Sequence, residues 1–134
     1  MSSYKDFVAV SGLPGLYKLV TTRNNGLVVE DVDSGKTRFL SVRKYQFTPL
    51  ETVAIYTDDD AEEIVKVFAT IQEKEKEIPV PSTSGAAPEL FAYFGEILPN
   101  YDRERVMISD VKKVIKWYNF LKNRDLLSFG DEEE

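Results

Sequence analysis

The sequence predicts an α+β fold: a small antiparallel β-barrel with a covering helix, followed by a C-terminal helical hairpin. Three observations carry this. Residues 12–42 alternate glycine-containing corners with short apolar runs, as a twisted strand meander does. Residues 64–71 and 109–121 place apolar side chains at helical spacing instead. Between them, residues 79–88 hold Pro79, Pro81 and Pro88 among Ser and Gly, the composition of a linker. The implied organisation is 1–78 barrel plus covering helix, 79–88 linker, 89–127 helical hairpin and 128–134 acidic tail.

Phe7-Val8-Ala9-Val10 is a short apolar strand ended by Ser11-Gly12. Gly12-Leu13-Pro14-Gly15 turns the chain, with Pro14 presetting φ and Gly15 free to take the positive φ of a type II turn. A Gly-x-x-Gly loop also clamps RNA backbone in one module. That module sets the loop between helices, whereas this one lies between strands and lacks Lys and Arg. No Gly-Lys-Ser/Thr follows, so it is no phosphate loop either.

Asn24-Asn25-Gly26 separates Leu19-Val20-Thr21 from Leu27-Val28-Val29. Asn-Gly supplies the two positive-φ positions of a tight hairpin. Asp33-Ser34-Gly35 separates the next pair, with Gly suited to the left-handed position of a three-residue loop. Leu27-Val28-Val29 is apolar on both faces, which points to cover on both sides. Arg43-Lys44-Tyr45 follows as a basic-aromatic knot. Val53-Ala54-Ile55-Tyr56-Thr57 then reads as the closing strand of a five-stranded, partly open barrel.

Asp58-Asp59-Asp60-Ala61-Glu62-Glu63 is rich in carboxylates but lacks the spacing of a Ca²⁺ loop. It reads better as a helix start, with Asp60 as N-cap and Glu63 three residues on. Ile64, Val67, Phe68 and Ile71 form one buried stripe, expected to seal the barrel, and Lys74 to Glu77 a solvated end. Burying each of those four side chains contributes roughly 1.5–3 kcal/mol before ordering entropy is counted.

Pro88 fits the first turn of a helix carrying Leu90, Phe91, Phe94, Ile97 and Leu98, stopped by Pro99. Ser109 is the expected cap of a second helix bearing Val111, Val114, Ile115, Tyr118 and Leu121. Residues 99–108 between them are too many for a DNA-reading helix-turn-helix, which joins its helices with a three- or four-residue turn.

Ser11-Gly12, Pro14-Gly15-Leu16-Tyr17-Lys18-Leu19, Leu50-Glu51 leading into Ile55-Tyr56-Thr57, and Ser109-Asp110-Val111-Lys112-Lys113 leading to Lys116-Trp117-Tyr118 carry a resemblance. Over most of its length the chain resembles a family of small uncharacterised proteins of Bacteroidetes-type bacteria. That resemblance implies an SH3-like barrel fold and carries over no catalytic residue.

Composition bounds the chemistry. The chain has neither Cys nor His, which removes disulfides, thiolate nucleophiles, Cys/His zinc sites and imidazole acid–base catalysis. Ser109-Asp110-Val111-Lys112 matches Ser-x-x-Lys, yet the Ser-Asp-Asn and Lys-Thr-Gly elements that acyl-serine enzymes also need are missing. The acids gather on a cap, a helix surface and a tail, not across a cleft. No cofactor and no metal are expected. The N-terminal residues do not read as a secretory signal and no apolar run approaches a membrane span, so a cytoplasmic protein is expected. The net charge of −6 is uneven: residues 1–57 are mildly basic, and so are 101–127.

These readings favour a non-catalytic protein-interaction module using Tyr17, Tyr45, Trp117 and Phe120. The alternative is weak single-stranded nucleic-acid or RNA binding through Arg23, Arg38, Arg43 and Lys44. The face of the last helix holding Lys112, Lys113, Lys116 and Arg124, with Phe120 among them, would join it. An amphipathic helix also turns such charges outward simply to meet water. The partner's identity and the oligomeric state stay open.

Overall fold

The structure, a computed structural model, describes residues 6–13, 15–124 and 126. Pro14 of the first turn and the acidic tail 128–134 lie outside them. The chain divides into two units, one ending at Val53 and one beginning at Ala54. The division therefore falls well before the expected linker at 79–88.

The first unit is an antiparallel sheet of β1 (Phe7–Val10), β2 (Leu16–Arg23), β3 (Gly26–Asp31), β4 (Thr37–Ser41) and β5 (Phe47–Pro49). Its order is β4-β3-β2-β1-β5, so among the described residues the sheet is open, with β4 and β5 as its ends and no closed barrel. The fifth strand is Phe47–Pro49, not Val53–Thr57. Phe47 pairs with Val10 and Pro49 with Val8. Val8, Val10, Tyr17, Val29 and Leu40 form the core, with Leu13, Leu27, Tyr45 and Phe47 packed against it.

Gly15 and Gly35 take the positive φ expected of them, at 72° and 75°. The β3–β4 connection, residues 32–36, is longer than the predicted three residues. Asp31 N–H donates to Lys36 O at 2.8 Å, and Asp31 Oδ1 accepts Asp33 N–H (2.9 Å) and Ser34 N–H (3.0 Å). A short polar side chain that satisfies the turn's own amides explains why Asp precedes the corner.

Gly26 departs from its expected role. The two loop residues are Asn24 and Asn25, while Gly26 already belongs to β3, paired with Arg23 and Ser41. It is needed because a Cβ would strike Leu40 O and come within 2.7 Å of the Phe39 ring. The residue serves close approach rather than left-handed backbone.

The second unit contains β6 (Ala54–Tyr56), β7 (Ala61–Glu63), α1 (Ile64–Lys74), α2 (Ala87–Ile97) and α3 (Ile108–Asn123). β6 and β7 form a hairpin whose loop is organised by Thr57: its N–H donates to Asp60 O at 3.0 Å, and its hydroxyl accepts Asp60 N–H at 3.1 Å. Asp60 is thus a turn residue and not the predicted helix cap, and Glu63 precedes Ile64 without a side-chain cap bond. At the start of α3 the predicted Ser109 cap is replaced by Met107, whose N–H donates to Asp110 Oδ2 at 2.9 Å. That reach-back bond is the N3 half of a capping box.

The predicted stripes are buried except for Phe91, which is half-buried, and the three helices that carry them pack together. Ile64, Val67, Phe68 and Ile71 of α1 are buried, and α1 packs with α2 and α3 as one layer of a three-helix unit. Residues 75–86, which include most of the expected linker, connect α1 to α2 inside that unit. Phe68 and Tyr118 lie 6.2 Å apart between ring centroids, tilted by 47°. No helix among the described residues is long and apolar enough to cross a membrane.

Candidate functional site

Pairing fixes which side chains share the outer face of the sheet. Opposite residues of an antiparallel pair point the same way, and successive residues alternate. Val29 and Leu40 are buried, so their face is inward. The opposite face therefore carries Thr21–Val28–Phe39 as one row across β2, β3 and β4, and Arg23–Gly26–Ser41 as the next. Phe39 is 46 % exposed on it, with its ring held against the bare backbone of Gly26. A slip in register between Leu19 and Thr21 leaves Val20 bulged and half exposed. Val42, just past β4, is exposed as well.

Basic side chains border this apolar strip. Arg23 ends β2 beside Gly26, and Arg43 and Lys44 lie in the turn after β4, where Ser41 Oγ accepts Arg43 N–H at 3.1 Å. All three are exposed. Arg38 pairs with Val29 and so belongs to the other face, near the β3–β4 loop. Of the four basic residues predicted to act together, Arg23 and Arg38 lie on opposite faces of the sheet, and Arg43 and Lys44 sit in the turn beyond β4.

The predicted aromatic contacts fare differently. Tyr17 faces the core and is buried, while Tyr45 is half-buried and packs against that core. Trp117 and Phe120 are half-buried on α3. The Arg124 guanidinium lies 3.8 Å from the Phe120 ring centroid and donates to Phe120 O at 3.1 Å. One face of that ring is therefore already occupied by an intramolecular cation–π contact. Lys113 and Lys116 are exposed and Lys112 is half-buried. Sequence reasoning missed Phe39, Val20 and Val42; the readable signal was Thr37-Arg38-Phe39-Leu40, in which an inward Leu40 forces Phe39 outward.

The second unit holds two further polar arrangements. Around its loops, Asp58 N–H donates to Asn100 O at 2.9 Å and Asp102 N–H to Tyr56 O at 2.8 Å. Arg105 sits 4.7 Å above the exposed Tyr56 ring and pairs with Asp102 at 3.1 Å. The Asp102 carboxyl is held below its usual range, first by the Glu104 N–H and further by Arg105. Among the helices, Glu75 accepts Tyr118 Oη at 2.7 Å and also pairs with Lys122. Glu75 is thus no solvated helix end, as its place in a charged run implied.

Lys122 first, and then the Tyr118 hydroxyl, hold the Glu75 carboxyl below its usual value of 4.5. Burial, reinforced by the Glu75 charge, pushes the Tyr93 hydroxyl up to about 12. Burial, together with its bond to Glu75, raises Tyr118 too. A carboxylate depressed on folding stabilises the native state above its unfolded value, and that contribution is lost as pH falls through the folded value. Denaturant midpoints of the wild-type chain should therefore drop on acidification below about pH 4.5, and Glu75→Gln should flatten that part of the profile. An unchanged acid-side slope in Glu75→Gln would mean that the pair contributes nothing.

Two family models match the chain, and they fall on the two units. Residues 5–50 match a domain of unknown function, DUF5606, and residues 53–121 match a domain of unknown function, DUF6852. A protein from Bacteroides vulgatus, known from a solution NMR structure, is 37 % identical, covers 94 % of this chain and 90 % of its own, and superposes with a TM-score of 0.77. None of the curated proteins matches.

Proposed function

The chain belongs to the DUF6852 family of domains of unknown function, and from that premise we propose that it is a non-catalytic protein-interaction module whose contact surface is the outer face of the sheet. The observation that carries this reading is Phe39. A large aromatic half exposed on a sheet, with Val28 and Thr21 in its row, the exposed Val20 of the adjoining bulge and Arg23 at its border, has the composition of a contact surface. Its ring lies over the bare backbone of Gly26, a seat that limits the side-chain entropy lost when a partner covers it. A non-catalytic role is supported by the lack of Cys and His, and by a structural explanation for the shifted groups. Glu75, Tyr93 and Tyr118 belong to the packing of three helices.

The finer fold reading and the setting belong to the same proposal. A four-stranded meander whose fifth strand returns to β1 has the order from which an SH3-like curl is built. The Bacteroides vulgatus relative supports a Bacteroidetes-type origin, and the Cys-free composition fits a reducing cytoplasm.

The test is a pull-down from native lysate with Phe39→Ala. Loss of a central aromatic anchor should weaken capture by at least about 2 kcal/mol, roughly thirtyfold in affinity, with an unchanged thermal midpoint. Undiminished recovery sinks the reading. Trp117→Ala and Phe120→Ala in the same assay report whether α3 shares the contact.

A second reading, single-stranded nucleic-acid binding, is favoured by one observation: Arg23 and Phe39 lie on the same sheet face. A labelled oligonucleotide should then bind with an affinity falling steeply with salt. Flat or absent binding removes it.

A further inference from the structure

We infer that the partner binds as an added β-strand: an extended, acid-rich peptide segment that pairs with the free edge of β4. This rests on the reading of the sheet as a protein-binding surface and specifies the partner's chemistry. Two bonds set the phase of the edge. Val42 N–H donates to Asn25 O at 3.0 Å and Asp31 N–H to Lys36 O at 2.8 Å, so Lys36, Arg38, Leu40 and Val42 turn their backbone groups toward β3. Thr37, Phe39 and Ser41 turn theirs away. The Ser41 carbonyl is taken by Lys44 N–H (3.2 Å) and Tyr45 N–H (3.1 Å). Among the described residues, the N–H and C=O groups of Thr37 and Phe39 meet no partner at that edge. Strand addition draws its affinity from such a row of main-chain groups, and its specificity from neighbouring side chains.

Charge selects the occupant. From Lys36 to Lys44 the segment KTRFLSVRK holds four basic residues and no acid. A second copy pairing β4 against β4 would set this segment against itself and oppose like charges. An acidic strand meets complementary charge instead. The acids closest to the edge, Glu30, Asp31 and Asp33, lie toward the β3–β4 loop, with Glu30 opposite Thr37. The partner's acids are therefore expected mainly toward the Ser41 end, facing Arg43 and Lys44. Alternate apolar side chains of the same strand would cover Phe39.

Panning a random linear peptide library on the full chain tests this, with Thr37→Pro as the discriminating variant. Proline at an edge position whose N–H points outward is compatible with the sheet but removes the donor a new strand needs. The expected result is selection of peptides alternating Asp or Glu with apolar residues. A selected peptide should slow hydrogen exchange at the Thr37 and Phe39 amides and lose at least tenfold in affinity to Thr37→Pro and to Arg43→Glu/Lys44→Glu, with circular dichroism unchanged. Peptides that depend on Phe39 but ignore Thr37→Pro overturn strand addition while leaving the sheet-face reading intact. Recovery of none overturns both. Acid-free selections, competition by a thymidine oligonucleotide, or a concentration-dependent dimer abolished by Thr37→Pro each overturn the proposed partner.

Discussion

Phe68→Ala lowers the unfolding free energy of the chain by about 3–5 kcal/mol, the range for truncating a fully buried aromatic. Phe68 is 1 % exposed, projects from α1 toward the other two helices, and meets the Tyr118 ring. Its removal costs the transfer energy of the ring and leaves a void that three packed helices can close only in part. Tyr118 also bonds Glu75, so a shift of that ring would disturb the polar pairing that, together with Lys122–Glu75, ties the end of α1 to α3. For a small domain such a loss is a large share of total stability. Denaturant unfolding followed by circular dichroism measures it. A loss below about 1 kcal/mol would show that the helices do not pack through this side chain.

Gly26→Ala has the next largest effect, and it acts on the sheet. Over-packing of a well-filled site costs typically about 1–3 kcal/mol, and more where backbone must move. Here the new methyl meets the Leu40 carbonyl as well as the Phe39 ring, and a carbonyl held by strand pairing cannot swing aside. A loss of about 3 kcal/mol, with displaced amide resonances along β3 and β4, is expected. Were Gly26 required only for turn conformation, Gly26→Asn would be well tolerated, since Asn accepts left-handed backbone more readily than most residues. Steric exclusion predicts that Asn is at least as damaging as Ala.

The contrast between these two residues shows what could be read from the sequence. The Phe68 stripe was legible because helical burial repeats every three or four residues, whichever element covers it. What covered it was not legible: the same stripe fits a sheet or two helices, and the partners turned out to be α2 and α3. Gly26 looked like a turn glycine because Asn-Gly is a strong hairpin signal, but the loop closed one residue earlier. Val53–Thr57 looked like a barrel strand because strand propensity does not specify a partner; it pairs with Ala61–Glu63 instead. Asp60 and Ser109 had cap chemistry, yet Thr57 and Asp110 made the local bonds that fixed those termini. On the candidate site, composition drew attention to tyrosines and lysines. Tyr17 proved to be core, while Phe39 was visible only through the parity of β4.

Photo-crosslinking from an aromatic probe at position 39 of the full chain, in living cells, tests the central claim most directly. With position 92 on the exposed side of α2 as the reference, the account predicts nuclease-resistant protein adducts at 39, none at 92, and their disappearance when Thr37→Pro is added. Adducts of equal yield at both positions, or nuclease-sensitive adducts at 39, would contradict it.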